Sequence, residues 1–115
     1  MKEKIHFDEF LAMEAKLEIQ MGQIAEAERV PNSKKLLKLM VIFGPNKEDI
    51  KTVVTNLGDK FEPEYFIGLW SPFITNLAYV KMMGVESQAM ILVGTKEDGS
   101  LKMYKDWSEY GVKVM

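Results

Sequence analysis

Lysine, methionine, serine and glutamine side chains are gathered between residues 76 and 94, in a stretch whose composition a hydrophobic core would not require. Lys81 offers a cation for a phosphate, Ser87 and Gln88 offer hydrogen bonds, and the methionines offer soft apolar surfaces for the face of a base. Cations along a backbone and side chains on which bases stack are the contacts that hold single-stranded nucleic acid. The stretch therefore predicts a binding surface between the apolar strands that flank it.

A second polar group follows a turn at residues 30–33, where Lys34 and Lys35 come next in the chain. From spacing alone, paired lysines after a turn are more often solvated charges than ligand contacts. On the same small domain as Lys81 they become candidates for phosphate contacts, and Asn32 can bond to sugars or base edges exposed in RNA. The full candidate set is Asn32, Lys34, Lys35, Asn76, Lys81, Met82, Ser87, Gln88 and Met90.

Some of these candidates have an equally good structural interpretation. Asn76 and Glu86 are suited to closing the loop through hydrogen bonds from side chain to backbone. A base could stack on Met82 or Met90, but the alternation of a strand places Met90 in the core equally well.

The residue pattern offers no group for catalysis or metal binding. His6 is the only histidine and lies near the N-terminus, and the chain has no cysteine. Glu62 and Glu64 flank the start of a helical turn, where carboxylates suit the helix dipole better than acid–base chemistry. There is no phosphate-cradling glycine loop and no nucleophile elbow. We therefore predict a protein that is not an enzyme and uses no cofactor.

Composition predicts one small domain. The chain has 115 residues, 47% of them apolar, and a net charge of −2. Proteins that bind duplex DNA nonspecifically usually carry a basic excess, so we expect no DNA partner and only a local basic patch. No apolar run has the length of a membrane span, and the N-terminus lacks the apolar core of a signal peptide. These features lead us to expect a cytoplasmic protein without a membrane partner.

Hydrophobic periodicity predicts a chain made mostly of short strands. A helix is predicted from Asp8 to Ala15, with Asp8 as its N-cap, and a helical turn over residues 62–66 that ends at Gly68. The predicted strands cover residues 17–28, 36–43, 52–55, 69–75, 89–95 and 101–104.

Glycine, proline and asparagine positions add detail to these elements. Gly22 predicts a bulge or bend in the first strand, and Pro72 predicts that the fourth strand is an edge or bulged strand. Asn56 is a candidate for positive φ, and Asp98-Gly99 predicts a turn. Gly84 is expected to adopt a backbone geometry that a Cβ would disfavour.

Short strands with long connections predict an all-β fold, a five-stranded OB-fold barrel with short peripheral helices. We expect a single domain over residues 1–115, with an N-terminal helical extension at 1–15 and a C-terminal extension at 96–115. The tail from Trp107 is expected to pack on the barrel or on a partner.

The chain resembles the tRNA-binding domain family, which includes the C-terminal extension of many methionyl-tRNA synthetases and stand-alone structure-specific tRNA-binding proteins. The resemblance covers residues 8 to 94 and is carried by an ordered set of short motifs. These are Lys16 to Ile24, Val30-Pro31-Asn32-Ser33-Lys34-Lys35-Leu36, Lys51 to Leu57, Pro63-Glu64 with Gly68, Asn76-Leu77, and Lys81-Met82-Met83-Gly84-Val85-Glu86-Ser87-Gln88-Ala89-Met90. The family implies an OB fold, tRNA as partner and frequent homodimers.

The chain departs from the family pattern in places. Gln20 stands where arginine is usual, which removes a charge-assisted phosphate contact, and Lys34 is a candidate to replace that charge. A related branch serves as an export chaperone, but it typically lacks the Pro-Asn turn and the Gly-Val-Glu-Ser-Gln string, both of which this chain has.

The resemblance implies a non-catalytic tRNA-binding accessory or β subunit of an aminoacyl-tRNA synthetase, methionyl first. The alternative is a protein-interaction module, such as an export chaperone or a synthetase-assembly subunit, which the net charge and Gln20 favour. We also expect a homodimer, because a small barrel leaves apolar surface to cover. The candidate interface residues are Phe7, Phe10, Leu11, Trp107, Tyr110 and Val112.

Overall fold

The computed structural model describes residues 2–103, Tyr110 and the backbone of Lys113 and Val114. Helix α1 spans Phe7–Glu14, and single 3₁₀ turns lie at Lys47–Asp49, Leu57–Asp59 and Pro63–Tyr65. The strands are β1 Ile19–Arg29, β2 Leu37–Ile42, β3 Ile50–Thr55, β4 Trp70–Ile74, β5 Val80–Met82, β6 Val85–Ser87, β7 Met90–Ile91, β8 Gly94–Thr95, β9 Leu101–Lys102 and β10 Lys113–Val114.

The main sheet has five antiparallel strands in the order β3-β2-β1-β4-β7. It curls into a nearly closed barrel, because the segment that leads into β7 returns to β3 and bonds with its backbone. The predicted all-β, five-stranded OB-like barrel is confirmed. Its core is formed by inward side chains from every strand of the sheet, among them Ile24, Leu37, Leu39, Val41, Val53, Phe73 and Ile91.

Strand β1 is the central strand of the barrel sheet, since it pairs with β2 along one part and with β4 along another. The irregularity in its register lies between Ile24 and Glu26, so the predicted bulge falls beyond Gly22. Gly22 serves a different purpose, because a Cβ there would lie 2.6 Å from Val41 Cγ1 and 2.7 Å from the Phe43 ring. The glycine therefore leaves room for the side chains of Val41 and Phe43 against β1.

The prediction that Pro72 marks an edge or bulged strand is wrong. Strand β4 lies between β1 and β7, and its register with β1 is regular. The Pro72 carbonyl accepts a hydrogen bond from Leu92 N at 3.1 Å, just beyond the end of β7 at Ile91. Strand β4 tolerates proline at this interior position because the N–H that proline lacks would face the chain beyond the end of β7.

Two predictions of local geometry are also wrong. Helix α1 begins at Phe7 with His6 as N-cap, so Asp8 lies in the first turn, where its charge suits the helix dipole. Asn56 has φ −92°, an ordinary value. The positive φ angles of non-glycine residues in the described part of the chain belong to Asn32 and Met83.

Other turns are confirmed. The predicted helical turn is the 3₁₀ turn Pro63–Tyr65, and Gly68 follows it with φ +88°. Gly99 has φ +85° in the turn before β9. In the tail, β10 pairs with β8, whereas Trp107 and Val112, two predicted interface residues, lie outside the described residues.

Candidate nucleic-acid interface

The stretch predicted as a binding loop contains a β-hairpin. Strands β5 and β6 pair antiparallel, with Lys81 opposite Glu86 and Met82 opposite Val85. Their connection consists of two residues, Met83 and Gly84, with φ of 49° and 82°. Positive φ at both central positions is the pattern of a type I′ turn, whose twist matches that of the paired strands. The expectation for Gly84 is confirmed: a side chain there would be strained by the backbone angle, although nothing lies within 4 Å of its Cβ position.

Ser87 and Gln88 join the hairpin to the barrel. Ser87 is buried, and its Oγ accepts a hydrogen bond from Val54 N at 2.9 Å and donates to the Ala89 carbonyl at 3.1 Å. Gln88 Oε1 accepts from Thr52 N at 2.8 Å. Side chains thus take the place of strand backbone along β3, and they close the barrel where β7 is too short to do so.

Asn76 has a structural role of the kind weighed from the sequence. Its Oδ1 accepts a hydrogen bond from Glu18 N at 2.9 Å, and its Nδ2 donates to the Lys16 carbonyl. Both groups of the amide are therefore bonded to the segment between α1 and β1. The bonds fix how the N-terminal segment enters the barrel, while the side chain remains exposed.

Met82 and Met90 line the same groove, which has a volume of about 540 Å³ and walls that are mostly apolar. Asn56 and Leu57 form another part of its wall. Met90 is 42% exposed, so the alternative that placed it in the core is wrong. A groove with two thioether side chains and an amide at its wall can accept the flat face and the polar edge of a base.

The turn with Lys34 and Lys35 lies beside this groove. Gly58, which follows Leu57 of the groove wall, donates its N–H to the Lys35 carbonyl at 2.7 Å. Both lysine side chains are exposed, and Asn32 is an exposed residue with φ 67°. The structure therefore brings the basic turn and the two methionines to one end of the barrel.

Arg29 holds that turn in place and was missed from the sequence. Its Nη1 donates to the Lys34 carbonyl at 3.2 Å and to the Gly58 carbonyl at 2.9 Å. Its Nη2 bonds to Glu62 Oε2 at 3.1 Å. Arg29 is the only arginine of the sequence, which is a signal that could have drawn attention to it, since arginine alone offers a planar fork of donors.

The charge around Lys81 is less favourable for phosphate binding than the charge of the Lys34–Lys35 turn. Lys81 is exposed, but Glu86 is its cross-strand partner, so the two side chains stand on the same face of the hairpin. Nearby on the barrel, Lys38 pairs with Glu28 at 3.8 Å. Gln20 lies near the start of β1, whereas Lys34 comes after the end of that strand. Lys34 therefore does not occupy the place of the missing arginine charge. The positive charge of the site is concentrated at the Lys34–Lys35 turn.

Comparisons with known proteins give the family. The family model described as "Putative tRNA binding domain" matches residues 19–110. The methionine–tRNA ligase of Cytophaga hutchinsonii is 42% identical over 102 residues, 89% of this chain and 14% of that enzyme. That of Methanococcoides burtonii is 45% identical over 93 residues, 81% of this chain and 13% of the enzyme. The chain thus spans only about a seventh of the length of the curated relatives it matches.

Solved structures agree with this assignment. A MetRS related protein from Pyrococcus horikoshii matches with a TM-score of 0.73 and 37% identity, covering 90% of this chain and 86% of that one. The chaperone CsaA of Bacillus anthracis matches with a TM-score of 0.69 at 22% identity, covering 93% and 92%, and shows a shared fold. The chain belongs to the tRNA-binding domain family, as its sequence motifs indicated.

Within residues 2–103, no helix is long and apolar enough to cross a membrane. Over the same part of the chain, no three histidine, cysteine or acidic side chains are grouped so that they could hold a metal ion.

Proposed function

We propose that this chain is a non-catalytic, structure-specific tRNA-binding protein that serves as an accessory or β subunit of an aminoacyl-tRNA synthetase, methionyl-tRNA synthetase first. The observation that carries the proposal is the match to the tRNA-binding domain family over residues 19–110. The similarity to two methionine–tRNA ligases supports the choice of synthetase. The proposal includes action in the cytoplasm, where tRNA is charged, and no membrane or DNA partner.

The geometry suggests how the nine candidate residues would divide the work. Lys34 and Lys35 would contact phosphates, because their side chains are exposed and their backbone is fixed by Arg29 and Gly58. Met82 and Met90 would pack on a base in the groove between them. Asn32 is exposed and would bond to sugars or base edges. Asn76 and Gln88 would contribute the bonding capacity that their structural hydrogen bonds leave over, the buried Ser87 would hold the hairpin on β3, and Lys81 would add a charge at the hairpin.

The proposal includes a homodimer. Helix α1 has eight residues, none of them buried, and Phe7 and Phe10 are 72% and 46% exposed. So short a helix is marginal in water without a face to pack on. The outward side of β1 and β4 is also apolar, with Met21 opposite Pro72 and Trp70 56% exposed. A second copy of the chain would cover both surfaces and would place two RNA sites on one particle.

The alternative is a protein-interaction module such as an export chaperone. It is favoured by the exposed apolar side chains of β1 and β4, together with the net charge of −2. The apolar face would then receive an unfolded client, and the groove between Met82 and Met90 would have no RNA ligand.

One experiment separates the two functions. The purified chain is titrated with unmodified tRNA while the emission of Trp70 and Trp107 is followed, and it is tested separately for suppression of aggregation of an unfolded client protein. The proposed function predicts saturable tRNA binding that Lys35→Ala weakens, with no suppression of aggregation. Suppression of aggregation without tRNA binding would favour the chaperone.

A further inference from the structure

Met83 occupies a backbone position that its side chain disfavours. It is the first residue of the two-residue turn between β5 and β6 and has φ 49°. In a type I′ turn this position is most often Asn, Asp or Gly, because their side chains tolerate the left-handed region. For other L-residues the left-handed conformation costs about 1–2 kcal/mol. The chain therefore retains a methionine where asparagine would stabilise the hairpin.

The Met83 side chain also contributes little to the packing of the barrel. It is 57% exposed, more than Met13, Met21 or Met90, and it is absent from the hydrophobic core. Its neighbour Met82 points into the groove that Met90 also lines. Neither the turn nor the core therefore accounts for a large apolar side chain at the apex of this hairpin.

We infer that Met83 is an RNA-contact residue, carried at the apex of the β5–β6 hairpin so that its thioether packs on the face of a base beside the groove of Met82 and Met90. This inference rests on the proposed function and adds a contact to the same site. Methionine suits the task because it is flexible and polarizable and makes favourable sulfur–aromatic contacts. The face of any base is an aromatic surface, so the contact adds affinity with little sequence preference.

Two variants separate the contact from the turn. Met83→Asn gives the turn the residue it favours, so its thermal midpoint rises while its affinity for tRNA falls about fivefold, in the range of a sulfur–aromatic contact. Met83→Leu keeps an apolar side chain on the base but not the polarizable sulfur, so its affinity falls by only about twofold, less than that of Met83→Asn. Opposite signs for stability and binding in Met83→Asn are the signature of a residue retained for its ligand.

A second readout uses the unaltered protein. Dilute hydrogen peroxide oxidises exposed methionines to sulfoxides, and peptide mass spectrometry reports the rate at each site. Bound tRNA slows oxidation of Met83 by about fivefold or more, as expected when a contact covers its sulfur. Met13, which is 43% exposed on α1, is the internal control and keeps its rate.

The outcomes are distinguishable from failure of the proposed function. If the parent protein does not bind tRNA, both the function and the Met83 contact are wrong. If it binds tRNA, but Met83→Asn binds equally well or Met83 oxidises at the same rate in the complex, only the contact is wrong. Protection of Met83 by a protein partner and not by tRNA would likewise overturn the inference.

Discussion

Gln88 and Thr52 bond to each other twice, once through a side chain and once through the backbone. Gln88 Oε1 accepts from Thr52 N at 2.8 Å, and Gln88 N donates to the Thr52 carbonyl at 2.8 Å. An amide side chain thus replaces a missing stretch of strand along β3. Ser87 does the same for Val54, so the residues that look like ligand contacts in the sequence also close the barrel.

The first prediction concerns this closure. Gln88→Ala leaves the Thr52 N–H without its acceptor, so the free energy of unfolding falls by about 1–2 kcal/mol. Gln88→Glu is the matched control, because a carboxylate oxygen can accept the same bond. Urea denaturation of both variants measures the difference. Equal stability of Gln88→Ala and the parent protein would show that the bond does not hold the barrel closed.

Much of the barrel could be predicted from the sequence because the signals for its strands and turns lie within short stretches of the chain. Alternation of apolar residues gave the main strands, and glycine gave the turns at Gly84 and Gly99. The closure could not be predicted, because it joins residues 36 positions apart, and a side chain that acts as strand backbone has no periodic signal. The hairpin was missed because its turn is Met-Gly and not Asn-Gly, the usual signal of a two-residue connection.

The site was predictable in part for the same reason. The lysines and methionines were found from their types, and the fold brings Lys35 and Met90 to one end of the barrel. Arg29 was missed because its role depends on two carbonyl groups, those of Lys34 and Gly58, that come together only in the folded chain.

The second prediction tests the role of Arg29. Arg29→Lys keeps the charge but cannot reach the Lys34 and Gly58 carbonyls and Glu62 together, because lysine lacks the planar fork. We expect a loss of about 1 kcal/mol in unfolding free energy, the net value of a hydrogen bond, and weaker tRNA binding as the turn loosens. Glu62→Gln keeps an acceptor for Arg29 and serves as the control. The expectation fails if Arg29→Lys and Glu62→Gln bind tRNA like the parent.

The third prediction concerns the charge of the hairpin. Lys81→Ala weakens tRNA binding by about 1 kcal/mol and lowers the salt slope by about one phosphate contact. Glu86→Gln should strengthen tRNA binding, since it removes the carboxylate that faces Lys81 across the strands. Lys47→Ala is the control, because Lys47 lies at the far end of β2 and β3 from the Lys34–Lys35 turn. Unchanged affinity and slope in Lys81→Ala would remove Lys81 from the site.

The fourth prediction concerns assembly. Light scattering of the parent protein at micromolar concentration should give twice the chain mass of 13.2 kDa. Phe10→Ser removes an apolar contact from α1 and shifts the protein towards the monomer, whereas Ile67→Ser, at an exposed apolar residue outside α1, β1 and β4, leaves the mass unchanged. A parent protein that is monomeric at this concentration would contradict the dimer, and would leave each RNA site without the avidity that a second site provides.

The most direct test of the central claim is a filter-binding titration of the parent protein with bulk tRNA and with duplex DNA at several salt concentrations. We predict saturable tRNA binding. The logarithm of its association constant should fall with the logarithm of the salt concentration at a slope of about −2 to −3, as expected for Lys34, Lys35 and Lys81 on phosphates. Duplex DNA should bind at least about tenfold more weakly, because the groove accepts exposed bases and not stacked pairs. Equal affinity for the two nucleic acids, or no retention of tRNA at low salt, would contradict structure-specific tRNA binding.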